Sequence, residues 1–304
     1  MPQNVDRKMR LSESAGLCLR LLRVRDWVKN LVILLPLFFS GRMGETSLVA
    51  QGLIAVAAFC CVSSAVYVFN DLRDRDMDRL HPRKRLRPIA AGEVSTARAA
   101  ALIAALLAAG TALAALFSPD ILPLLIGYLL LNIAYSWKLK SIPVIDVTII
   151  ALGYVIRIFT GGAVTGTALS VWIVTMTFLA AMFIGIAKRR EDVLICLESG
   201  IEVREGVEAY SLKFVDAALA IMASVTIVAY LMFTLSPGVV AKFHTGKLYW
   251  TTVFVVTGIL HYLQVILLGK RGGNPTDILF ADRLLQCILG GWLITFAWLI
   301  YGVR

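Results

Sequence analysis

Charged residues are scarce in this chain, at 16% of 304 residues, whereas hydrophobic residues make up 59%. The mean hydropathy is correspondingly high, at +0.79. A soluble protein of this length cannot bury so much apolar surface, and disordered chains are rich in charge and poor in apolar residues. The composition therefore excludes soluble and disordered chains and predicts a helical protein that crosses a membrane several times.

Cysteine is also scarce, and its spacing indicates no metal or redox chemistry. The chain has five cysteines, of which Cys60 and Cys61 are adjacent in an apolar run, and no pair has C-x-x-C spacing. This pattern excludes a disulfide framework and a zinc site. A cleavable signal sequence is missing too, because no short apolar segment follows the basic N-terminal residues. We expect residues 1–26 to form a retained cytoplasmic tail.

Long apolar runs dominate the rest of the sequence. A helix that crosses a bilayer needs about 20 mostly apolar residues. Nine runs approach or reach that length, at 27–42, 48–70, 97–117, 120–137, 142–164, 167–187, 216–235, 248–269 and 284–302. The sequence therefore predicts an all-α membrane protein whose nine transmembrane helices form a single domain over residues 1–304.

Positive charge is distributed unevenly around these runs. With the N-terminus in the cytoplasm, twenty-five of the thirty Lys and Arg residues fall on the cytoplasmic side and four on the other. Membrane proteins carry such an excess in their cytoplasmic loops, so the net charge of +10 indicates orientation rather than nucleic-acid binding. Two long cytoplasmic loops, 71–96 and 188–215, are rich in charge, and loops of this length are often functional. We therefore expect the active site on the cytoplasmic face.

An acidic motif follows the second apolar run. Asn70, Asp71, Asp74 and Asp78 fall in one quadrant of a helix that continues past the membrane edge, since each residue adds 100°. Carboxylate and amide oxygens are ligands that suit Mg²⁺, which usually keeps some sites for water and substrate phosphate. The motif therefore predicts a magnesium site. The alternative is a solvated helix end whose carboxylates balance neighbouring arginines such as Arg73.

A basic loop comes directly after the acidic motif. Lys84, Arg85 and Arg87 lie between two prolines, which limit the flexibility of the loop. Next to a metal site, such a loop predicts a cradle for a polyphosphate. The alternative is an anchor on anionic lipid headgroups.

The pattern from Asn70 to Gly92 resembles the UbiA superfamily of intramembrane prenyltransferases. Its basic half looks like the decaprenyl-phosphate phosphoribosyltransferase branch, whose members transfer 5-phosphoribose from phosphoribosyl diphosphate (PRPP) to a polyprenyl phosphate. The resemblance extends over nearly the whole chain. It includes the runs at 25–30 and 135–140, Arg157 with Gly161 and Gly162, and the stretch from Asp277 to Arg283.

The second charged loop departs from the aromatic prenyltransferases of this superfamily. Those enzymes carry a second aspartate-rich motif there, whereas this chain has Lys188, Arg189 and Arg190, and no D-x-x-x-D occurs within 188–216. Lys and Arg bind phosphate directly, so Lys188 and Arg189 are candidate phosphate ligands. Topological anchoring is the alternative for these residues.

Four further residues are candidates for substrate binding. Arg157 lies inside the fifth run, where an arginine costs about 2.5–3.5 kcal/mol or more. It therefore contacts either the substrate or a structural partner. Lys29, Tyr135 and Lys138 lie at membrane edges, where snorkelling of the side chain is the alternative.

Together, the residues and the resemblance imply a Mg²⁺-dependent transferase in an inner membrane of bacterial type. Asp74, Asp78 and Asp71 are the catalytic candidates, and PRPP, a polyprenyl phosphate and the bilayer are the expected partners. Self-association of the chain is left open. One alternative is an aromatic prenyltransferase, which the missing second aspartate motif disfavours. Another is a transporter, which the concentration of charge on one face disfavours.

Overall fold

The structure is a computed structural model that describes residues 16–80, 84–199, 206–268, 278 and 281–302. Several predictions fall partly outside these residues. They concern positions 1–15 of the tail, the start of the basic loop at 81–83, positions 200–205 of the second charged loop, and Asp277.

The described residues contain helices and no strand, which confirms the all-α prediction. The α-helices are α1 Leu35–Phe39, α2 Thr46–Arg73, α3 Arg75–Leu80, α4 Thr96–Phe117, α5 Leu122–Trp137, α6 Ile145–Thr165, α7 Val171–Ser199, α8 Leu212–Leu235, α9 Pro237–Phe243, α10 Thr252–Leu267 and α11 Arg283–Ala297. A 3₁₀ helix of 11 residues occupies Val24–Leu34, and shorter ones occur at Lys84–Leu86, Pro119–Ile121, Leu139–Ser141, Val207–Ala209 and Leu248–Thr251.

Eight helices among the described residues are long and apolar enough to cross a membrane, against the nine that were predicted. The difference lies in the first run, 27–42, which is divided between the 3₁₀ helix Val24–Leu34 and α1. Pro36 stands at the start of α1, and because proline has no N–H it cannot donate to the preceding turn. A single regular α-helix is therefore interrupted at this point. The other eight predicted runs each correspond to one long helix.

Backbone packing divides the chain into two compact units. The first unit comprises Met1–Lys140 and Ile156–Ala168. Its core surrounds α2, with Phe59 packed against Tyr128 at 5.5 Å between ring centroids. Gly161 permits a close backbone approach, because a Cβ there would lie 2.0 Å from the carbonyl oxygen of Ile33.

The second unit comprises Ser141–Val155 and Leu169–Arg304. Its core is built around α7 and α8 and includes the ring pair of Phe183 and Tyr262. Gly206 has a φ of +80°, and a Cβ there would lie 2.5 Å from the carbonyl oxygen of Ser141. A glycine is therefore required where these two loops meet. The prediction of one domain over 1–304 stays a prediction.

Candidate active site

The acidic motif lies where α2 gives way to α3. Helix α2 ends at Arg73, Asp74 adopts φ −89° and ψ 7°, and α3 begins at Arg75. The backbone hydrogen bonds persist through the junction, since the N–H of Asp74 donates to Asn70 at 2.8 Å and that of Asp78 donates to Asp74 at 2.8 Å. The expected continuous helix is divided at Asp74, although these two hydrogen bonds span the division.

Asp71 and Asp78 form one buried half of the motif. Arg87 Nη1 donates to both carboxylates, at 3.0 Å to Asp71 and 2.7 Å to Asp78. Arg23 donates a second charged hydrogen bond to Asp71. Burial raises the pKa of Asp78, and the positive charge of Arg87 opposes that rise. Two carboxylates and two guanidinium groups therefore form a neutral cluster.

Asn70 and Asp74 form the other half, and their partners lie on and just after α5. The side chain of Ser136 donates to the amide oxygen of Asn70, and Lys140 Nζ donates to Asp74 at 2.6 Å. The Asp74 side chain is 33% exposed, whereas that of Asp71 is 4% exposed. Of the motif's three predicted aspartates, Asp74 is therefore the most accessible to a ligand.

The donor chemistry of this accessible half fits Mg²⁺. No group of three or more His, Cys, Asp or Glu within the described ranges is arranged to hold a metal by itself. One or two protein carboxylates are nevertheless usual for Mg²⁺, which completes its shell with water and phosphate oxygens. Asp74 and Asn70 offer such oxygens, and the ammonium of Lys140 shows that a cation is stable beside Asp74.

The three candidates of the basic loop differ in their surroundings. Arg85 is exposed, Lys84 is half-buried, and both belong to the 3₁₀ helix Lys84–Leu86. Arg87 instead holds the two buried carboxylates. The structure thus separates Arg87, which acts inside the cluster, from Arg85, whose side chain is open to an anion.

Arg157 lies in α6 and has well-defined partners inside the first unit. Its Nε donates to Asn30 Oδ1 at 2.8 Å, and its Nη2 donates to the hydroxyl of Tyr128 at 3.2 Å. The guanidinium carbon also lies 4.7 Å from the ring centroid of Tyr128 and 5.5 Å from that of Phe59. These hydrogen bonds and cation–π contacts stabilise a charge in an apolar environment. They provide a structural explanation for this buried arginine.

The candidates at the membrane edges remain close to the surface. Lys29 Nζ forms an ion pair with Asp26 at 2.6 Å. Tyr135 is half-buried on α5, and Lys138 is exposed at the C-cap of the same helix. Their positions are compatible with substrate binding and with snorkelling, so their proposed roles stay predictions.

In the second unit, Lys188 and Arg189 of α7, which were predicted together as phosphate ligands, differ in exposure. Lys188 is exposed, whereas Arg189 is 1% exposed. Arg189 forms ion pairs with Asp192 and with Asp146, the latter at 3.0 Å from Nε to Oδ2. The Asp146 contact lacks hydrogen-bond geometry, so Nε and Nη2 of Arg189 have no hydrogen-bond acceptor among the described residues. Arg189 therefore neutralises two carboxylates in the interior of the second unit.

Arg190 and Tyr210 extend this charged cluster. Arg190 Nε pairs with Asp216 at 2.7 Å and its Nη1 donates to the carbonyl of Ile266 at 2.9 Å. The hydroxyl of Tyr210 donates to Asp146 at 2.7 Å and accepts the N–H of Val144 at 2.6 Å. Burial raises the pKa of Tyr210 to about 12, so the hydroxyl stays protonated.

Sequence reasoning missed several partners of the predicted residues. Lys140, Ser136 and Asn30 stand in the two runs that carried the family resemblance, so those runs held a usable signal. Arg23 and Tyr210 had no comparable signal. Each lies in a charged or polar segment, where nothing in the local pattern indicates a partner 48 or 64 residues away.

The fold is that of a polytopic helical membrane protein, with an acidic motif at the end of α2 and a cluster of ion-paired arginines within α7. The model of the UbiA prenyltransferase family matches residues 31–288. The chain therefore belongs to the UbiA prenyltransferase family of integral membrane enzymes.

Two curated relatives match over most of the chain. The decaprenyl-phosphate phosphoribosyltransferase of Mycolicibacterium smegmatis is 29% identical over 93% of this chain and 92% of its own length. The enzyme of the same name from Corynebacterium glutamicum is 28% identical over 93% of this chain and 86% of its own length.

A solved structure shares the fold. It is a UbiA homologue from Archaeoglobus fulgidus bound to GPP and Mg²⁺, with a TM-score of 0.66 and 20% identity. The match covers 94% of this chain and 98% of that one.

Proposed function

We propose that this enzyme transfers 5-phosphoribose from PRPP to a polyprenyl phosphate, and that the transfer depends on Mg²⁺. The observation that carries the proposal is the spacing and pairing of Asp192 in α7 and Asp216 in α8. Within the described residues, Asp192 pairs with Arg189 and Asp216 pairs with Arg190. A second metal site of the aromatic prenyltransferase kind would need aspartates spaced as D-x-x-x-D, whereas these two are 24 residues apart and each lies beside an arginine. PRPP has one diphosphate for one metal-binding motif, and its 5-phosphate suits cations instead.

The names of the relatives and the solved neighbour support this assignment. The two curated relatives are named decaprenyl-phosphate phosphoribosyltransferase, and the structural neighbour is described as bound to GPP and Mg²⁺. In this chain, Asn70 and Asp74 would hold the ion, and Asp71 with Asp78 would support them. When bound, Mg²⁺ neutralises the charge that develops on the leaving diphosphate.

The protein groups would bind, orient and neutralise the two substrates. The C1–oxygen bond to diphosphate breaks, and an oxygen of the lipid phosphate forms the new bond to C1. That phosphate is already anionic, so a strong general base is not required. The substrate-binding candidates predicted from the sequence are Lys29, Lys84, Arg85, Arg87, Tyr135, Lys138, Arg157, Lys188 and Arg189. Of these, Arg85, Lys138 and Lys188 are the exposed ones.

The charge distribution supports a proposed orientation. The excess of Lys and Arg on one side favours an N-terminus and an active site in the cytoplasm, and the proposed location is an inner membrane of bacterial type. The isoprenoid tail of the acceptor would lie against apolar helix faces in the bilayer. The whole chain, 1–304, would act as a single transferase domain, and self-association is not required by this scheme.

The two substrate pairs can be compared directly with purified protein in lipid vesicles that contain Mg²⁺. One mixture contains PRPP and polyprenyl phosphate, and the other contains a prenyl diphosphate and 4-hydroxybenzoate. We expect a phosphoribosylated lipid and diphosphate from the first mixture alone. Product from the second mixture alone would show an aromatic prenyltransferase instead. The Asp74→Ala variant serves as the control for contaminating activity.

A further inference from the structure

The residues before the family match pack directly against the acidic motif. Residues 16–30, here called the N-terminal strap, precede the matched region, which begins at residue 31. The hydroxyl of Ser64 on α2 donates to the carbonyl of Leu22 at 2.8 Å and accepts from Trp27 Nε1 at 3.1 Å. Leu21 is buried in a cluster that includes Val68. The strap is therefore fixed along the last turns of α2.

Arg23 is the residue of the strap that reaches the motif. Its guanidinium donates to Asp71 and lies 5.0 Å from the ring centroid of Tyr67. Its backbone is left-handed, with φ 49° and ψ 50°. A residue other than glycine adopts this conformation at an energetic cost, and such residues persist where surrounding contacts enforce them. Here the side chain contacts Asp71 and Tyr67, and the backbone carbonyl of Arg23 accepts the N–H of Asp26 at 2.7 Å.

The charge balance of the buried cluster depends on Arg23. Within the described part of the chain, Asp71 and Asp78 form ion pairs with Arg23 and Arg87. Two carboxylates meet two guanidinium groups, so these four side chains together are neutral, and the positive charge of Lys84 also acts on Asp78. Without Arg23, Asp71 would keep only Arg87, which it shares with Asp78, and the motif would lose one positive charge next to Asp74.

We propose that Arg23 is a positioning residue of the acidic motif, which neutralises Asp71 and so reserves Asn70 and Asp74 for the metal and the diphosphate. This inference rests on the proposed function. Loss of the Arg23 charge should therefore change metal binding and substrate binding in opposite directions. An uncompensated negative charge beside the site attracts a divalent cation and repels a polyphosphate substrate. If Arg23 only fastened the strap, its loss would weaken both metal binding and substrate binding, or neither of them.

The test uses the full-length protein and Mn²⁺ as a paramagnetic probe, read by electron paramagnetic resonance without substrate. We expect Arg23→Gln to lower the Kd for Mn²⁺ by about threefold or more, because Coulomb interactions across one helical turn are strong in a partly buried site. The KM for PRPP should rise by at least a similar factor. Arg23→Lys, which keeps the charge, should return both values towards those of the parent.

Arg20→Gln is the matched control. Arg20 belongs to the same strap and pairs with Glu93 at 2.6 Å, but it does not touch the motif. Its loss should leave the Mn²⁺ Kd and the KM for PRPP unchanged. Equal shifts in Arg20→Gln and Arg23→Gln would overturn the proposal, since the strap would then act only as a fastener.

A double variant keeps the test decisive if Arg23→Gln does not fold. Arg23→Gln with Asp71→Asn removes one charge of each sign, so we expect a Mn²⁺ Kd within about twofold of the parent. Much weaker binding would make Asp71 a metal ligand and overturn the proposal. Parent-like Kd and KM in Arg23→Gln would overturn it too. If the parent itself binds no Mn²⁺, both this proposal and the metal role in the proposed function are overturned. The results with the Arg23 variants, in contrast, overturn only the role of Arg23.

Discussion

Two charged clusters, one at the end of α2 and one in the C-terminal half of α7, neutralise their buried side chains in opposite ways. At the end of α2, the helix and its continuation supply the acids, and the arginines come from the strap and the basic loop. In the C-terminal half of α7, the helix supplies the arginines, and two of the three acids come from the starts of α6 and α8. Each cluster neutralises its buried charges internally. Each also leaves one candidate with greater exposure, Asp74 in the first unit and Lys188 in the second.

This difference teaches how to separate binding groups from supporting groups. A buried ion pair contributes little net stability, yet removal of one partner is costly because the other charge is left uncompensated. Asp71, Asp78 and Arg189 are such buried partners. Asp74 and Lys188 are more exposed, so a ligand can reach them. Substitutions at the exposed positions should therefore change activity, and those at the buried positions should change stability.

The largest expected effect is at Asp74. Asp74→Ala removes the accessible carboxylate of the motif, so we expect transfer activity to fall by at least about a hundredfold, with the protein still folded and inserted in the membrane. EDTA should abolish the activity of the parent, and added Mg²⁺ should restore it. Transfer of phosphoribose to the lipid measures both effects.

Asp76→Ala is the matched control for this substitution. Asp76 stands two residues away, its side chain is 77% exposed, and its partners are Arg75 and Arg79 rather than the motif. We expect it to retain parental activity. Full activity of the parent in chelator would remove the metal from the mechanism.

The next largest effect concerns the buried arginine of α7. Arg189→Ala would leave Asp146 and Asp192 without their guanidinium, and breaking a buried pair in this way costs about 3–5 kcal/mol. We expect a large loss of thermal stability in detergent, followed by fluorescence or by aggregation. Stability equal to that of the parent, with a changed KM, would instead place Arg189 in the substrate site.

Lys188→Ala should show the opposite behaviour. Lys188 is exposed, and a charged hydrogen bond to phosphate is typically worth about 1.5–3 kcal/mol. We therefore expect the KM for PRPP or for the lipid phosphate to rise by about tenfold or more, with little change in Tm. Steady-state kinetics with each substrate varied in turn would decide. Unchanged constants for both substrates would leave Lys188 with a topological role only.

The sequence predicted the helical membrane fold because apolar length and composition act locally along each helix. Eight of the nine runs correspond to long helices. The exception is the run at 27–42, where Pro36 interrupts the helical hydrogen bonds. The positions of the acidic motif were also predictable, since its spacing lies within two adjacent helices.

The partners within the site were not predictable, because they depend on tertiary packing. The spacing placed Asn70, Asp71, Asp74 and Asp78 on one face, but it could not show that Arg23 and Arg87 occupy half of it. The sequence likewise treated Lys188 and Arg189 as equivalent cations. Only the approach of Asp146 from α6 distinguishes the buried one from the exposed one.

The smallest expected effect is a change in the pH dependence of stability at Asp78. Burial raises the pKa of this carboxyl above its ordinary value of 3.8, and Arg87 only partly opposes the rise. The folded protein thus takes up this proton at a higher pH than the unfolded chain does. As the pH falls through that raised pKa, the proton uptake stabilises the folded state.

Asp78→Asn removes this contribution, so its Tm should fall relative to that of the parent as the pH is lowered from neutral towards 3.8. Thermal unfolding in detergent at several pH values measures the difference. Asp76→Asn, at the surface of the same helix, should follow the parent throughout. If the Tm of Asp78→Asn instead rose relative to that of the parent as the pH fell, the folded protein would favour the charged form of Asp78. Arg87 would then outweigh the effect of burial on this carboxyl.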